Sequence, residues 1–129
     1  RLALARRAAD LLRASPAAGK AALLSFDESL LAAAHARAPE IPCVLNLMAC
    51  LDARALRRKR YAFYGAFCVY VGSLTREFVR AVHASGRAAL VYGCERPGPA
   101  DFALSAGVDG IMSDRPAWLR AHLQSRRTD

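Results

Sequence analysis

Short apolar runs alternate along the chain with longer segments in which apolar residues recur at helical spacing. The apolar runs have the length and continuity of strands that are buried on both faces. Because parallel strands need a helical crossover between them, the alternation predicts an α/β fold with a parallel sheet and outer helices. The five predicted strands lie at residues 21–25, 41–48, 66–71, 88–94 and 108–112.

Helix start and stop signals lie between these strands. The best-marked helix has Thr75 as its predicted amino-terminal cap and Gly86 as its predicted end. Residues 50–65 are less regular, and we expect a short helix and a loop there. The other helices are expected at residues 1–14, between Asp27 and Pro39, at residues 99–106 and from near Pro116 onward.

The composition is that of one globular domain with an excess of positive charge. The 129 residues are 54% hydrophobic, and the formal net charge is +8. The apolar runs are shorter than the ~20 residues that span a bilayer, so we predict no transmembrane segment. The cysteines lack the spacing of metal ligands, and we expect reduced, mostly buried thiols and a cytoplasmic location. They are Cys43, Cys50, Cys68 and Cys94.

One dense basic run precedes a group of aromatic residues. A patch of basic and aromatic side chains would bind nucleic acid, whereas a basic run without a nucleic-acid motif is more often a solvated loop. We find no such motif in the sequence and predict no nucleic-acid partner. The run comprises Arg54, Arg57, Arg58, Lys59 and Arg60, followed by Tyr61, Phe63 and Tyr64.

Parallel α/β proteins hold their functional groups where strands end. Three segments stand out there: Leu-Ser-Phe-Asp at 24–27, Leu-Val-Tyr-Gly-Cys-Glu-Arg-Pro at 90–97 and Gly-Val-Asp-Gly-Ile-Met-Ser-Asp-Arg-Pro at 107–116. In this order they resemble the carboxyl-terminal half of the glycerophosphodiester phosphodiesterase family. That half carries Ser-Phe-Asp, then Val-(Trp/Tyr)-Thr-Val-Asn, and closes on Gly-Val-Asp-Gly-Ile-Ile-Thr-Asp-Arg-Pro. The helix at 74–86 is also similar to the family's, so the resemblance covers nearly the whole chain.

The resemblance implies a TIM-type β/α barrel of which this chain supplies only the last five strands. Residues 1–129 would form the carboxyl-terminal part of that domain. The whole enzyme would hydrolyse a small glycerophosphodiester to glycerol 3-phosphate and an alcohol, in lipid and glycerol metabolism. In the family, two histidines act as acid and base while carboxylates hold a Ca²⁺ or Mg²⁺ ion.

The family's histidine and metal-ligand motifs do not occur in this sequence. His-Arg-Gly, Glu-x-Asp, His-Asp and Glu-x-Lys are all absent. We therefore expect no catalytic residue, no metal ligand and no activity in this chain by itself. His35, His83 and His122 fall in predicted helices, which a barrel places on its outer ring and away from the site.

Four residues at strand ends are the predicted substrate-binding positions. Phe26 would pack against the glycerol or the leaving alcohol, unless it is an ordinary aromatic of a barrel layer. Tyr92 occupies the family's Trp/Tyr position. Ser25 would touch a phosphate oxygen, although capping the next helix together with Glu28 is the preferred interpretation. Glu95 stands where the family has asparagine, and it would repel an anionic substrate or assist a cation at the pocket rim.

The segment that closes the motif is interpreted as structural. Ser113 and Asp114 match the family's Thr-Asp, and Asp114 is predicted to cap the last helix. The sequence begins with Arg1 rather than methionine, so we expect a fragment of a longer protein or a sequence whose start is missing.

Apart from nucleic-acid binding, which ranks far behind, two hypotheses for the function remain. A whole TIM barrel takes about 250 residues, so five strands would leave two unpaired sheet edges. The first hypothesis is an incomplete phosphodiesterase barrel that is inactive alone. The alternative is a half-barrel binding or assembly module, completed by a partner or by self-association through its open strand edges.

Overall fold

The computed structural model describes residues 1–127 and shows each predicted strand and helix in the predicted order. The strands are β1 (Leu23–Ser25), β2 (Cys43–Leu47), β3 (Tyr64–Tyr70), β4 (Ala88–Tyr92) and β5 (Gly110–Ile111). The helices are α1 (Leu2–Arg13), α2 (Glu28–Arg37), α3 (Ala53–Leu56), α4 (Arg76–Ala84), α5 (Pro97–Ala106) and α6 (Pro116–Arg127). Short 3₁₀ turns lie at Ala18–Lys20, Lys59–Tyr61 and Val71–Ser73.

The strands form one parallel sheet in the order β1-β2-β3-β4-β5. Each strand therefore lies beside its neighbour in sequence, with a helical crossover between them, as the apolar pattern predicted. The order brings all five carboxyl ends to one side of the sheet. Within the described residues, β1 and β5 each pair on one side only and are the edge strands.

One face of the sheet packs against the helices and holds the main core. Phe67 and Val69 of β3 and Val91 of β4 are fully buried there, beneath Val79 and Val82 of α4. Burial of apolar side chains contributes about 25 cal/mol per Å², so this layer stabilises the fold. It fixes the strands whose ends form the candidate site.

The opposite face carries a smaller cluster made only of strand residues. Side chains alternate along a strand, so the residues between the core positions of β2, β3 and β4 point to this face. The cluster comprises Val44, Ala66 and Cys68, packed against Ala88, Leu90 and Tyr92. We call it the open face, because it contains strand residues and no helix residues.

The signals at the ends of α4 are confirmed. The Thr75 hydroxyl oxygen accepts a hydrogen bond from the Phe78 backbone N–H at 3.1 Å, as expected of a capping side chain. Gly86 follows the helix with a φ of 77°, a left-handed conformation that favours glycine. This local chemistry sets where the chain turns back to begin β4.

The cap predicted for α2 differs from the observed one. Asp27, not Ser25, caps this helix, and its carboxylate accepts from the backbone N–H groups of Ser29 at 2.9 Å and Leu30 at 3.3 Å. The Ser25 hydroxyl instead accepts from the Asp27 N–H at 3.0 Å. The reason is distance along the chain, because a capping side chain reaches only the two or three residues that follow it.

The cap predicted for α6 is also wrong. The Ser113 hydroxyl accepts from the Arg115 N–H at 3.0 Å, in the loop that precedes α6. Within the described residues the Asp114 carboxylate makes no hydrogen bond, while its backbone N–H donates to Glu95 at 2.9 Å. The Asp114 side chain is therefore not held by the helix that it precedes.

None of the helices in residues 1–127 combines the length and apolar character that crossing a bilayer requires.

Candidate functional site

The carboxyl ends of the strands line a depression of about 290 Å³. Parallel sheets gather the residues that follow their strands at one edge, so chain segments far apart in sequence meet there. Three of the four predicted substrate-binding residues, Phe26, Tyr92 and Glu95, line this depression. We call it the carboxyl-end pocket, and its lining is Phe26, Asn46, Tyr92, Gly93, Glu95, Met112, Ser113 and Asp114.

Two aromatic rings form a corner of the carboxyl-end pocket. The rings of Phe26 and Tyr92 meet edge to face, with centroids 5.8 Å apart and planes at 89°. Tyr70 supports Tyr92 from the neighbouring strand at 5.7 Å. The Tyr92 hydroxyl donates to the Leu47 carbonyl oxygen at 3.3 Å, which fixes the ring across two strands. Phe26 is 54% exposed, so its ring remains available to a ligand.

Burial raises the pKa of Tyr92 above its ordinary value, and proximity to Cys68 and Tyr70 raises it further. Tyr92 therefore stays a neutral phenol at physiological pH and gives the pocket an uncharged aromatic wall.

Gly93 allows the chain to turn next to this aromatic corner. Its φ is 84°, and a Cβ atom here would come within 2.9 Å of the Tyr70 ring. A larger residue would strain the backbone and also push against that ring. The replacement of the family's threonine by Gly93 therefore fits the way Tyr70 packs beside Tyr92.

Glu95 joins the ends of β4 and β5 at the pocket rim. Its carboxylate accepts from the Asp114 backbone N–H at 2.9 Å and from the Ser113 hydroxyl at 2.8 Å. These two hydrogen bonds, together with the charge of Arg115, hold the pKa of Glu95 below its ordinary value. The carboxylate is therefore ionised at neutral pH, and it fixes the loop that forms one wall of the pocket.

Ser25 does not belong to the same group of residues. It ends β1 beside Phe26, but its hydroxyl accepts from the Asp27 N–H, and the residue is not among those lining the pocket. The structure thus brings together three of the four predicted positions and separates the fourth.

Asn46 is a pocket residue that the sequence analysis did not select. It lies on the open face of β2, and its side-chain oxygen Oδ1 is buried without a hydrogen-bond partner in the described part of the chain. An unpaired buried acceptor is costly, at about 1–3 kcal/mol, and so calls for an explanation. The sequence does contain a feature that could have identified Asn46, since it is the one polar residue in an otherwise apolar strand.

The histidines lie away from the pocket, in helices. The His35 ring stacks on Phe63, with centroids 4.4 Å apart. His83 binds the Asp109 carboxylate at 2.8 Å, and His122 binds that of Asp101 at 2.7 Å. These are contacts between elements of the scaffold.

The described residues do not fit a resident divalent cation. Ca²⁺ takes six or more oxygen ligands, and Mg²⁺ needs a near-octahedral set. Among residues 1–127 there is no group of three or more histidine, cysteine or acidic side chains that could hold a metal ion. In the pocket, both carboxylate oxygens of Glu95 already accept hydrogen bonds.

The aromatic residues beside the basic run belong to the core. Tyr61 and Tyr64 are only 3% and 2% exposed, and both pack against Phe67. Arg60 lies over the Tyr61 ring and pairs with Glu28 at 3.1 Å. Bases stack on exposed rings, and these two rings are covered.

Comparison with known proteins adds two kinds of evidence. The sequence model of the glycerophosphoryl diester phosphodiesterase family matches residues 3–118. Among curated proteins, none matches significantly. Among solved structures, a glycerophosphodiester phosphodiesterase from Parabacteroides distasonis is similar at a TM-score of 0.80 and 18% identity, over 98% of this chain and 54% of that one.

An Oleispira antarctica phosphodiesterase, solved in complex with its product sn-glycerol-3-phosphate, is similar at a TM-score of 0.78 and 21% identity. The match covers 93% of this chain and 49% of that one. The chain thus spans about half the length of these two proteins, and 38% of a related structure from Silicibacter pomeroyi. The fold is the one predicted, a parallel α/β sheet that corresponds to part of a TIM-type barrel. Since the family match covers nearly the whole sequence, the chain belongs to the glycerophosphoryl diester phosphodiesterase family.

Proposed function

We propose that residues 1–129 form the carboxyl-terminal part of a phosphodiesterase barrel and supply one wall of its substrate pocket. The whole enzyme would hydrolyse a glycerophosphodiester to glycerol 3-phosphate and an alcohol. The observation that carries this proposal is the contact between Phe26, which directly follows β1, and Tyr92, which ends β4, at the carboxyl edge of the sheet. That edge is where barrels of this type hold their chemistry.

In this proposal the chain's own residues bind and orient the substrate. The Phe26 and Tyr92 rings would pack against the carbon atoms of the glycerol or of the leaving alcohol. Glu95 would hold the loop after β4 in place through Ser113 and Asp114. A wall that is fixed before the substrate binds lowers the entropy cost of orienting it.

The divalent metal expected of the family, Ca²⁺ or Mg²⁺, would be bound by groups other than those described. We therefore propose that residues 1–129 do not hydrolyse the substrate when they are alone. In support, the sequence lacks the family's histidine and acidic motifs, and the three histidines lie in the helices α2, α4 and α6. A cytoplasmic location is part of the same proposal, and free thiols, three of them buried, support it.

The activity test uses glycerophosphocholine with Mg²⁺ or Ca²⁺ and measures the release of glycerol 3-phosphate. We expect no release above background from residues 1–129. Clear turnover that persists after repurification would contradict the proposed inactivity.

The pocket test measures glycerophosphocholine binding through the backbone amide resonances of the chain. We expect shifts at Gly93 and Ser113, and weaker binding in Phe26→Ala. Phe102→Ala is the matched control, since Phe102 is 37% exposed on α5 and lies outside the pocket. Equal binding by the two variants would contradict the role of Phe26.

A second candidate function is an assembly module, and the two edge strands favour it. Apolar grooves flank both edges: one lies beside β1 and includes Leu4 and Leu24, and the other lies beside β5 and includes Ile111 and Leu123. Unpaired edges next to apolar surface promote association. Light scattering on the purified chain would test this, and a well-folded monomer at high concentration would contradict self-association.

A further inference from the structure

Arg115 lies between the carboxyl-end pocket and the last helix. It follows Asp114, a pocket residue, and precedes Pro116, the first residue of α6. Its guanidinium donates to the Glu95 backbone oxygen at 3.1 Å, and its backbone N–H donates to the Ser113 hydroxyl at 3.0 Å. Arg115 therefore contacts both chain segments that meet at the pocket rim, although it is not among the residues that line the pocket.

A tryptophan ring holds the exposed Arg115 side chain in place. Fixing an arginine side chain costs rotamer entropy, and one hydrogen bond at the surface offsets only part of that cost. The guanidinium carbon of Arg115 lies over the Trp118 ring, 5.1 Å from its centroid. A guanidinium that stacks on a ring keeps its N–H groups available as donors. The same side chain therefore contacts the Trp118 ring and the Glu95 backbone oxygen at once.

Trp118 is fixed in turn by the scaffold. Its ring packs against the main core and stacks on His122, one turn further along α6, with centroids 5.3 Å apart and planes at 14°. His122 binds the Asp101 carboxylate of α5 at 2.7 Å, and Arg126 pairs with the same carboxylate. These contacts join α5 and α6 to Arg115, and Arg115 joins them to the loop at the pocket rim.

Three hydrogen bonds from consecutive residues converge on Glu95. The Ser113 hydroxyl and the Asp114 N–H donate to its carboxylate, and the Arg115 guanidinium donates to its backbone oxygen. The first two come from the loop itself, whereas the third depends on a side chain that α6 holds through Trp118. A change at Trp118 therefore acts on the third hydrogen bond directly, and through it on the loop that carries the other two.

We propose that Arg115 is a positioning residue for the carboxyl-end pocket, and that Trp118 acts through Arg115. The Trp118 ring holds the guanidinium, the guanidinium holds the backbone at Glu95, and the rim is thereby fixed to the outer helix before a ligand binds. A wall that is fixed in advance lowers the entropy cost of orienting a ligand. Only the statement that the rim serves substrate binding rests on the proposed function.

Hydrogen exchange in the ligand-free chain, followed by NMR, tests the role of Arg115. The Asp114 amide reports the rim, because it donates to Glu95, and the Ala89 amide reports the opposite end of the sheet. In Arg115→Met, Asp114 should exchange about threefold faster while Ala89 is unchanged. Arg115→Lys keeps the charge but not the planar fork, so it should resemble Arg115→Met. Arg120→Met, which removes the same charge from α6 outside the pocket, should resemble wild type. No acceleration at Asp114 in Arg115→Met, or full protection in Arg115→Lys, would overturn the proposal.

A double-mutant cycle tests whether Trp118 acts through Arg115. Trp118→Leu removes the ring and should speed exchange at the Asp114 amide about threefold in the wild-type background, whereas Trp118→Phe keeps a ring face and should restore most of the protection. In the Arg115→Met background, Trp118→Leu should cause no further acceleration at Asp114. A purely structural role of Trp118 would give the same acceleration in both backgrounds, and that result would overturn the proposal. Trp118→Phe in both backgrounds provides the cycle if Trp118→Leu does not fold.

Binding of glycerophosphocholine separates this proposal from the proposed function. If wild type binds it and Arg115→Met and Arg115→Lys bind it about threefold more weakly, both stand. If all three bind it equally well, the proposed function stands and the positioning role of Arg115 fails. If none of them binds it while the exchange results hold, Arg115 still positions the rim, and the assignment of that rim to a phosphodiesterase pocket fails.

Discussion

The two ends of the sheet use acidic side chains differently. At the amino-terminal end, the Asp109 carboxylate accepts from the Ala89 backbone N–H and contacts His83 Nε2, both at 2.8 Å. At the carboxyl-terminal end, the Asp114 carboxylate accepts no hydrogen bond from the described residues and borders the pocket. The Asp109 carboxylate joins α4 to the start of β4, whereas the Asp114 carboxylate has no hydrogen-bond partner in the described part of the chain.

Both aspartates belong to the one segment that carries the family resemblance, residues 107–116. The comparison therefore shows that the segment has two roles. Its beginning makes contacts within the scaffold, and its end borders the candidate pocket, as expected for the two ends of a strand in a barrel.

Two phenylalanines give the strongest contrast between the scaffold and the pocket. Phe67 is fully buried in the core, and Phe67→Ala should lower the free energy of unfolding by about 3–5 kcal/mol. Phe26 is 54% exposed at the pocket, and Phe26→Ala should change it by less than about 0.5 kcal/mol. Chemical denaturation of both variants measures the difference. Similar losses of unfolding free energy would contradict the assignment of Phe67 to the core and of Phe26 to the pocket surface.

The aspartates test the two ends of the sheet directly. Asp109→Ala leaves the Ala89 N–H without its partner and should cost about 2 kcal/mol of unfolding free energy. Asp114→Ala removes a carboxylate that accepts no hydrogen bond and should cost less than about 0.5 kcal/mol. Urea denaturation compares the two variants. A larger loss of unfolding free energy in Asp114→Ala would contradict the structural role assigned to Asp109.

Two tyrosines sharpen the comparison within the pocket. Tyr92→Phe keeps the ring but removes the 3.3 Å hydrogen bond to the Leu47 oxygen, so we expect a loss of about 0.5–1 kcal/mol. Tyr70→Phe is the control, because the Tyr70 hydroxyl makes no hydrogen bond within the described residues. If thermal unfolding shows equal shifts for both variants, the Tyr92 hydrogen bond does not stabilise the wall.

The fold was largely predictable because its order follows from local pattern. Each apolar run became a strand, and the sheet order is the sequence order, so no long-range choice had to be made. Boundaries were less accurate: β3 begins at Tyr64, within a stretch predicted as loop, and pairs there with Cys43. Gly65 interrupts the apolar run, so the predicted strand begins only at residue 66. The observed strand begins earlier because Tyr64 pairs with Cys43, which lies 21 residues before it in the sequence.

The candidate site was predictable only in part, since its positions follow from strand ends but its contacts do not. Phe26, Tyr92 and Glu95 were placed correctly at one edge. The hydrogen bonds of Glu95 were not foreseen, because its partners lie 18 and 19 residues further along the chain. Asn46 was missed because a single polar residue in a strand carries no spacing that a motif could reveal.

The smallest effect concerns the pH dependence of the Glu95 contacts. The Asp114 N–H, the Ser113 hydroxyl and the charge of Arg115 lower the pKa of Glu95 in the folded chain. A group with a lowered folded pKa stabilises the protein above its unfolded pKa, and this contribution is lost as the pH falls through the folded value. Wild type should therefore be more stable than Glu95→Gln at neutral pH, and the difference should shrink as the solution is acidified below the ordinary pKa of glutamate. Urea denaturation of the wild type and of Glu95→Gln at a series of pH values measures this difference. A constant difference across the series would mean that the hydrogen bonds of Glu95, rather than its charge, fix the loop.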